Sequence, residues 1–217
     1  MNLMYRMIIT LGFFASMALH GQNKPSEAKL YKMDFQSSEV GVLPDGIMEI
    51  DGVFKVAAGA SGEKYLEMDK EPLSENAVIL GPSLKGAASV SAKVRSFKKR
   101  RSYPRFAIGL HGISGFRLRV VPSKGGIELV KNEESVKTVP FKWNADEWTS
   151  LELSVLPEGE NWRVEGRVWS ASTSKPVKAT VTLTHKGSPG QGKASLWGTA
   201  YSGRAVHFDE VTVSPAK

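Results

Sequence analysis

The feature that most constrains this fold is a period of two in the placement of apolar residues, which recurs in short segments after residue 30. Residues 116–121, for example, place Phe116, Leu118 and Val120 on one side and two arginines on the other. Such alternation is typical of a strand with one face against a core, and no window after residue 30 shows sustained apolar positions at helical spacing. About a dozen such segments predict an all-β chain folded as an antiparallel two-sheet β-sandwich, a jelly roll.

The predicted strands are separated by turn signals. They cover residues 87–95, 105–111, 116–121, 127–131, 148–155, 162–169, 179–184, 194–200 and 205–213. Residues 122–126 and 157–161 are rich in Pro, Gly and Asn, which predicts hairpin connections there. Residues 187–193 resemble a phosphate-binding loop, but Ala194 stands where that loop needs Ser or Thr, and a strand follows instead of a helix. We interpret residues 187–193 as a glycine-rich hairpin turn.

The N-terminus has the pattern of a secretory signal peptide. Arg6 supplies the positive charge, residues 7–19 form an apolar run that is short for a bilayer span, and Ala18 and Gly21 offer cleavage sites. The alternative is a retained N-terminal anchor helix. We expect a helical signal peptide over residues 1–21, a short extension over 22–32 and one jelly-roll domain over 33–217.

Cysteine is absent from the 217 residues, which excludes a disulfide framework, a thiolate metal site, a Cys nucleophile and a lipoprotein anchor. At this length, with 41% hydrophobic residues, one domain can bury an ample core without disulfides. Asn-x-Ser/Thr sequons are also absent. Together with the signal peptide, these features predict a secreted or periplasmic bacterial protein that has no membrane segment after cleavage.

Several short landmarks follow one another in a recognisable order. They are Asp34-Phe35, Pro44-Asp45-Gly46, residues 51–54, residues 63–66, residues 148–155 and residues 208–213. This order, over about residues 33–214, resembles the concanavalin A-like lectin and glucanase jelly rolls, including laminin-G-like and 3-keto-disaccharide hydrolase-type secreted domains. The resemblance implies a sandwich with one concave outer face on which relatives bind or cleave glycans. Because this fold hosts enzymes, binding modules and spacers, it does not by itself select a function.

A carboxylate motif provides the candidate catalytic residues. Glu67, Asp69 and Glu71 match the Glu-x-Asp-x-Glu pattern of laminarinase-like relatives, and alternate residues of a strand share a face. On one face they would supply the nucleophile, helper and acid of glycoside hydrolysis. However, Pro72 ends the strand, and acidic residues at a strand end are usually solvated. We therefore favour a non-enzymatic function and keep hydrolysis open.

We expect no cofactor, but the resemblance raises the hypothesis of a structural Ca²⁺. Relatives often hold this ion near paired N- and C-terminal strands, where Asp34 and Asp209 occupy matching places. The alternative is that both carboxylates stabilise turns by accepting hydrogen bonds from nearby amides.

The distribution of charge is the least ordinary feature. Residues 76–127 contain eleven Lys and Arg but no Asp or Glu. Strand alternation predicts that the polar members of three strands point outward, and pairing of consecutive strands would join them in one basic sheet face. These members are Lys93, Arg95, Arg105, His111, Arg117 and Arg119. Tyr103 lies beside the basic loop 98–101 at its rim, and Trp169 is predicted to point outward from another strand.

Two interpretations of this basic face compete. The first is ordinary solvation of an exposed sheet, and the second is a site that attracts carboxylated or sulfated glycans, with Trp169 stacked on a sugar ring. We predict a secreted carbohydrate-binding β-sandwich, with an anionic polysaccharide as its ligand if the second interpretation holds. The alternatives are a glycoside hydrolase of the 3-keto-disaccharide type and a non-catalytic structural domain of the envelope. Nucleic acid is not an expected partner, because the protein is exported.

Overall fold

A computed structural model describes residues 31–71 and 73–216. The predicted signal peptide and residues 22–30 of the predicted extension lie outside the described residues. Tyr31 and Lys32, which were predicted to belong to that extension, already pair with Val213 and Thr212. Among the described residues, no helix has the length and apolar character needed to cross a bilayer.

Fifteen strands form in this part of the chain. They are β1 (Tyr31–Met33), β2 (Met48–Asp51), β3 (Phe54–Ala58), β4 (Lys64–Met68), β5 (Asn76–Lys85), β6 (Ala88–Arg95), β7 (Arg105–Leu110), β8 (Phe116–Val121), β9 (Gly126–Lys131), β10 (Glu134–Pro140), β11 (Trp148–Glu158), β12 (Asn161–Ser170), β13 (Val181–Lys186), β14 (Gln191–Thr199) and β15 (Val206–Pro215). Sheet A has the order β13-β12-β11-β6-β15-β4-β3, with β1 also paired to β15. Sheet B has the order β10-β9-β8-β7-β14-β5-β2. The predicted antiparallel two-sheet sandwich is confirmed.

The core lies between the inward faces of the two sheets. In β6 the buried residues Val90, Ala92 and Val94 alternate with partly exposed polar ones, as predicted. In β8 the inward residues Phe116, Leu118 and Val120 are fully buried. This side-chain period of two is what the pleat of a strand imposes, and it leaves one outer face on each sheet for polar side chains.

The two turns predicted as hairpins are present. The segment Pro122–Lys124 forms a 3-10 turn that joins β8 to β9, and Gly125 follows it in the left-handed region with φ 62°. Strands β11 and β12 pair up to Glu158 and Asn161. Residues 187–193, however, do not form a hairpin, because β13 belongs to sheet A and β14 to sheet B. That segment crosses from one sheet to the other, and β14 already begins at Gln191.

Candidate functional site

The predicted single basic face does not form, because consecutive strands β6 and β7 do not pair. Strand β6 pairs with β11 and β15 in sheet A, whereas β7 pairs with β8 and β14 in sheet B. Lys93 and Arg95 therefore lie on the outer face of sheet A, and Arg105, Arg117 and Arg119 on that of sheet B. The prediction failed because local alternation fixes which side of a strand faces the core but not which sheet the strand joins.

Arg117 lies on the outer face of sheet B but is not exposed there. Its side chain is 1% exposed and its guanidinium lies 4.1 Å from the ring centre of Trp197. Its Nη1 is 3.4 Å from Glu75 Oε2, and Nη2 contacts Glu133. Both acids come from outside the acid-free segment 76–127. The charge composition of that segment therefore could not predict that the charge of Arg117 is neutralised. The predicted exposure of Arg117 was wrong.

Arg119 is also paired rather than free. Its Nε and Nη2 donate to Glu128 Oε2 at 3.0 and 2.6 Å, and Lys124 Nζ lies 3.1 Å from Glu128 Oε1. Burial raises the pKa of Glu128, but the hydrogen bonds from Arg119 and Lys124 outweigh it and keep that pKa below its ordinary value. The Glu128 carboxylate is therefore ionised, and an anionic ligand would have to displace it from Arg119.

His111 and Tyr103, which were also predicted to belong to the basic face or its rim, lie elsewhere. The His111 side chain, at the end of β7, is buried, and burial lowers its pKa, so it adds no positive charge to an exposed face. Its predicted exposure was wrong. Tyr103 lines a pocket of about 220 Å³ at one end of the sandwich, beside Phe141 and Trp143.

An open groove crosses the outer face of sheet A. Its largest part has a volume of about 670 Å³ and includes Lys93, Trp148 and Asp209. A smaller part of about 240 Å³ includes Trp169 and shares Lys93 and Glu210 with the larger part. We call this surface the sheet A groove; its central residues are Lys93, Trp148, Ser150, Trp169, Asp209 and Glu210.

Strand register explains why these side chains meet. Asp209 of β15 lies opposite Lys93 of β6, Lys93 lies opposite Ser150 of β11, and Ser150 lies opposite Trp169 of β12. Four side chains thus form one row across four neighbouring strands. With strands spaced ~4.8 Å apart, the row is ~14 Å long, enough for a short oligosaccharide. The outward orientation of Trp169 follows the predicted alternation, since Val164 and Val168 are buried.

A β-bulge brings a second carboxylate into the groove. The register between β15 and β6 shifts between Asp209 and Thr212, and Glu210 has φ 47°, in the left-handed region that a non-glycine residue rarely occupies. In a regular strand Asp209 and Glu210 would point to opposite faces, but here both line the groove. Strained backbone of this kind persists where the surrounding structure enforces it, often at functional sites.

The groove is rich in hydrogen-bond acceptors. Lys93 Nζ contacts Glu210 Oε1, and Asp209 Oδ1 accepts a hydrogen bond of 2.7 Å from the Glu210 amide. Burial raises the pKa of Asp209 to about 6, although the Glu210 amide and Lys93 act against this. Other acids on the rim are Glu63, Asp146 and Glu147. The surface is therefore acidic and suits hydroxyl donors better than an anion.

Arg95, the remaining predicted cation of β6, lies at the end of this groove. Its Nε donates to the Asp146 carbonyl at 3.1 Å, and its guanidinium lies 5.4 Å from the centre of the Phe97 ring. Arg95 pairs with Trp148 in the β6–β11 register. It therefore connects the aromatic part of the groove to the loop that follows β6.

The carboxylates predicted for catalysis are not aligned by strand alternation, because β4 ends at Met68. Glu67 Oε2 lies 3.3 Å from Nε2 of His207. Burial, with a smaller effect of Arg95, lowers the pKa of His207 to about 4, so this contact is not an ion pair at neutral pH. Asp69 follows the strand and accepts a hydrogen bond of 2.7 Å from the Lys70 amide, and Glu71 is exposed.

The two predicted calcium ligands both accept hydrogen bonds from amides. Asp34 Oδ1 accepts one of 3.2 Å from Gln36, and Asp209 Oδ1 accepts the one from Glu210. These are the contacts that the turn-stabilising alternative predicts. Within residues 31–71 and 73–216, no group of three or more His, Asp or Glu side chains has an arrangement that would hold a metal ion. Calcium binding stays a hypothesis that these contacts do not test.

Solved structures share the arrangement of the two sheets. The carbohydrate-binding module CBM66 from Bacillus subtilis matches with a TM-score of 0.52 and 12% identity, over 78% of this chain and 95% of that one. Lectin I-B4 from Griffonia simplicifolia matches with a TM-score of 0.56 and 10% identity, over 86% and 98%. A sialidase matches with a TM-score of 0.60 and 14% identity over 87% of this chain, which spans only 19% of the sialidase.

These similarities establish that the chain has the concanavalin A-like jelly-roll fold, as the order of landmarks predicted. At such low identity they show the fold alone. A comparison with known protein families finds no match, and one with characterised protein sequences finds no similar protein.

Proposed function

We propose that this protein is an exported carbohydrate-binding β-sandwich that binds a saccharide in the sheet A groove. The observation that carries the proposal is the cross-strand row of Asp209, Lys93, Ser150 and Trp169. It combines an aromatic ring at one end with acceptors and donors along one line. The predicted signal peptide would deliver the protein to the compartments where polysaccharides are met.

The chemistry of the row matches that of a sugar. The apolar C–H face of a pyranose ring stacks on Trp169, whose polar and apolar parts suit a half-exposed position. The hydroxyl groups donate to Asp209 and Glu210 and accept from Lys93, and hydrogen bonds to charged groups are the stronger kind. The solved structures of this fold include a carbohydrate-binding module and lectins, by their names, which supports the proposal without fixing the ligand.

A pair of tryptophan variants tests this function. Trp169→Ala removes the stacking surface and is expected to weaken binding of neutral polysaccharides at least tenfold in affinity electrophoresis or calorimetry. Trp162→Ala is the matched control, because Trp162 lies on the same strand but packs against the core. This control is expected to lower the melting temperature and leave the affinity of the folded protein unchanged. Equal loss of affinity in both variants, or no binding to any polysaccharide in the panel, would contradict the proposal.

A second candidate function is glycoside hydrolysis, which is favoured by one observation. The bulge in β15 places two carboxylates, Asp209 and Glu210, in the same open groove, and glycosidases use such pairs. Asp209→Asn and Glu210→Gln would each abolish the release of reducing sugar if this activity exists. Wild-type protein that binds a polysaccharide but releases no sugar during prolonged incubation would exclude hydrolysis of that substrate.

A further inference from the structure

Several cations of the acid-free segment 76–127, and one arginine from outside it, lie together at one end of the sandwich. The loop between β6 and β7 carries Lys98, Lys99, Arg100 and Arg101, Arg105 begins β7, and Arg204 lies in the loop between β14 and β15. We call these six residues the basic end. It differs from both sheet faces because all of its residues except Arg105 lie in loops, so most of its side chains are not held in the strand registers described above.

The geometry of the first loop presents its arginines to solvent. Lys99 and Ser102 exchange two backbone hydrogen bonds of 3.0 and 2.9 Å, and Arg100 has φ 55° at the tip. Lys99, Arg100 and Arg101 face residues 201–203 of the second loop across an open pocket of about 610 Å³. Two loops from different strand pairs therefore form opposite walls of one site.

Among the described residues, the cations of the basic end have no acidic partner. Elsewhere in the acid-free segment Lys93, Arg117, Arg119 and Lys124 each contact a carboxylate. Across residues 31–71 and 73–216, by contrast, no carboxylate oxygen lies within 4.0 Å of a side-chain nitrogen of the basic end. Unpaired cations clustered in this way create a local positive potential that attracts anions.

A buried polar side chain in the pocket points independently to a ligand. Ser202 lines the pocket and is 4% exposed, yet its hydroxyl makes no hydrogen bond to any described residue. Buried polar groups normally have a partner, so an unsatisfied one at a pocket wall needs an explanation. Beside it, Arg105 Nη2 donates to the Tyr201 hydroxyl at 2.5 Å, which fixes this arginine at the pocket. A hydroxyl donor and guanidinium groups together suit an oxyanion.

We propose that the basic end binds the sulfate or carboxylate groups of an acidic polysaccharide. The inference rests on the proposed function. It specifies that the bound saccharide is an anionic one, and it adds the basic end as a second region of contact beside the sheet A groove. The two regions are connected: Phe97 lies between the guanidinium of Arg95, at 5.4 Å, and that of Arg204, at 4.9 Å. A polysaccharide whose uncharged residues lie in the sheet A groove would thus extend past Arg95 and bring its anionic groups to the basic end.

The test measures binding to heparin, alginate and neutral dextran over a series of NaCl concentrations. The double variant Arg100→Gln with Arg101→Gln is expected to lose about tenfold or more in affinity for the sulfated or carboxylated polymer, with a shallower salt dependence. The matched control is Lys178→Gln with Lys186→Gln, which removes the same charge from exposed positions near β13. We expect this control to keep most of the wild-type affinity. A single Ser202→Ala variant is expected to weaken binding without changing the salt dependence.

Several outcomes would overturn the inference. Equal losses of affinity in both double variants would show that binding depends only on the net charge of the protein. Displacement of the polymer by inorganic sulfate, at the same concentration of sulfate groups, would indicate a site for free anions. DNA that binds as tightly as heparin would indicate a general polyanion surface. The two proposals fail separately: Trp169→Ala impairs binding of the neutral polymer, whereas Arg100→Gln with Arg101→Gln impairs only binding of the anionic ones.

Discussion

His207 and Asp209 lie two residues apart on the outer side of β15 and have pKa values displaced in opposite directions. Burial lowers the pKa of His207 from 6.5 to about 4, and Arg95 adds to this; Tyr65 stacks on its ring at 4.2 Å. Burial raises the pKa of Asp209 from 3.8 to about 6, with Glu210 and Asp34 adding to the shift and Lys93 opposing it. We expect the two groups to oppose each other in the pH dependence of folding.

The signs follow from proton linkage. Between pH 6.5 and 4 the unfolded chain binds a proton on His207 that the folded protein does not, so His207 lowers the free energy of unfolding as pH falls. Between pH 6 and 3.8 the folded protein binds a proton on Asp209 that the unfolded chain does not, so Asp209 raises the free energy of unfolding as pH falls. Full shifts would correspond to about 3 kcal/mol for each group. We reduce this to about 2–3 kcal/mol for buried His207 and about 1–2 kcal/mol for half-buried Asp209, because solvent screens the latter.

Urea denaturation at pH 7, 5.5 and 4, with EGTA present, measures both effects in four proteins. These are the wild type, His207→Gln, Asp209→Asn and the double variant, which serves as the baseline for all other titrating groups. Relative to that baseline, Asp209→Asn should lose about 2–3 kcal/mol between pH 7 and 4, and His207→Gln should gain about 1–2 kcal/mol. The wild type should lie close to the baseline. Single variants that follow the double variant at every pH would refute the reasoning.

Two further changes test packing and metal content. Gly166→Ala would place a Cβ atom 2.6 Å from Leu118 Cδ1 and 2.8 Å from Val181 Cγ1, so we expect a loss of about 1–3 kcal/mol in urea denaturation; unchanged stability would show that the core yields at this point. EGTA is expected to leave the melting temperature unchanged, because Asp34 and Asp209 already accept hydrogen bonds from amides. A fall of several degrees that Ca²⁺ reverses would establish the calcium site.

The fold was predictable where one face of a strand meets the core and the other meets solvent. In β12, buried Val164 and Val168 alternate with outward Arg167 and Trp169, and the pattern is visible in the sequence. Strand β10 escaped prediction because nearly all of its residues are exposed and it is held by backbone pairing to β9. Strand β5 escaped for the opposite reason, since it is apolar over most of its length and buried on both faces.

The candidate site was less predictable, because it depends on which strands become neighbours. Trp169 and Lys93 were both expected to point outward, but β11 separates their strands, and Ser150 between them gave no local signal. Glu210 was missed because it enters the groove through a bulge that breaks the alternation. The opposing acids of Arg117 and Arg119 lie outside the basic segment or at its edge, so counting charges along the chain overstated the exposed positive surface.

Strand β10, the outermost strand of sheet B, has a consequence for association between molecules. An edge strand carries unpaired amide and carbonyl groups that can template the addition of another chain. Here the edge carries the charged side chains of Glu134 and Lys137, and Pro140 at its end has no amide hydrogen to donate. The polar side chains that made β10 hard to predict from the sequence thus also disfavour pairing of this edge with another molecule, and with it aggregation.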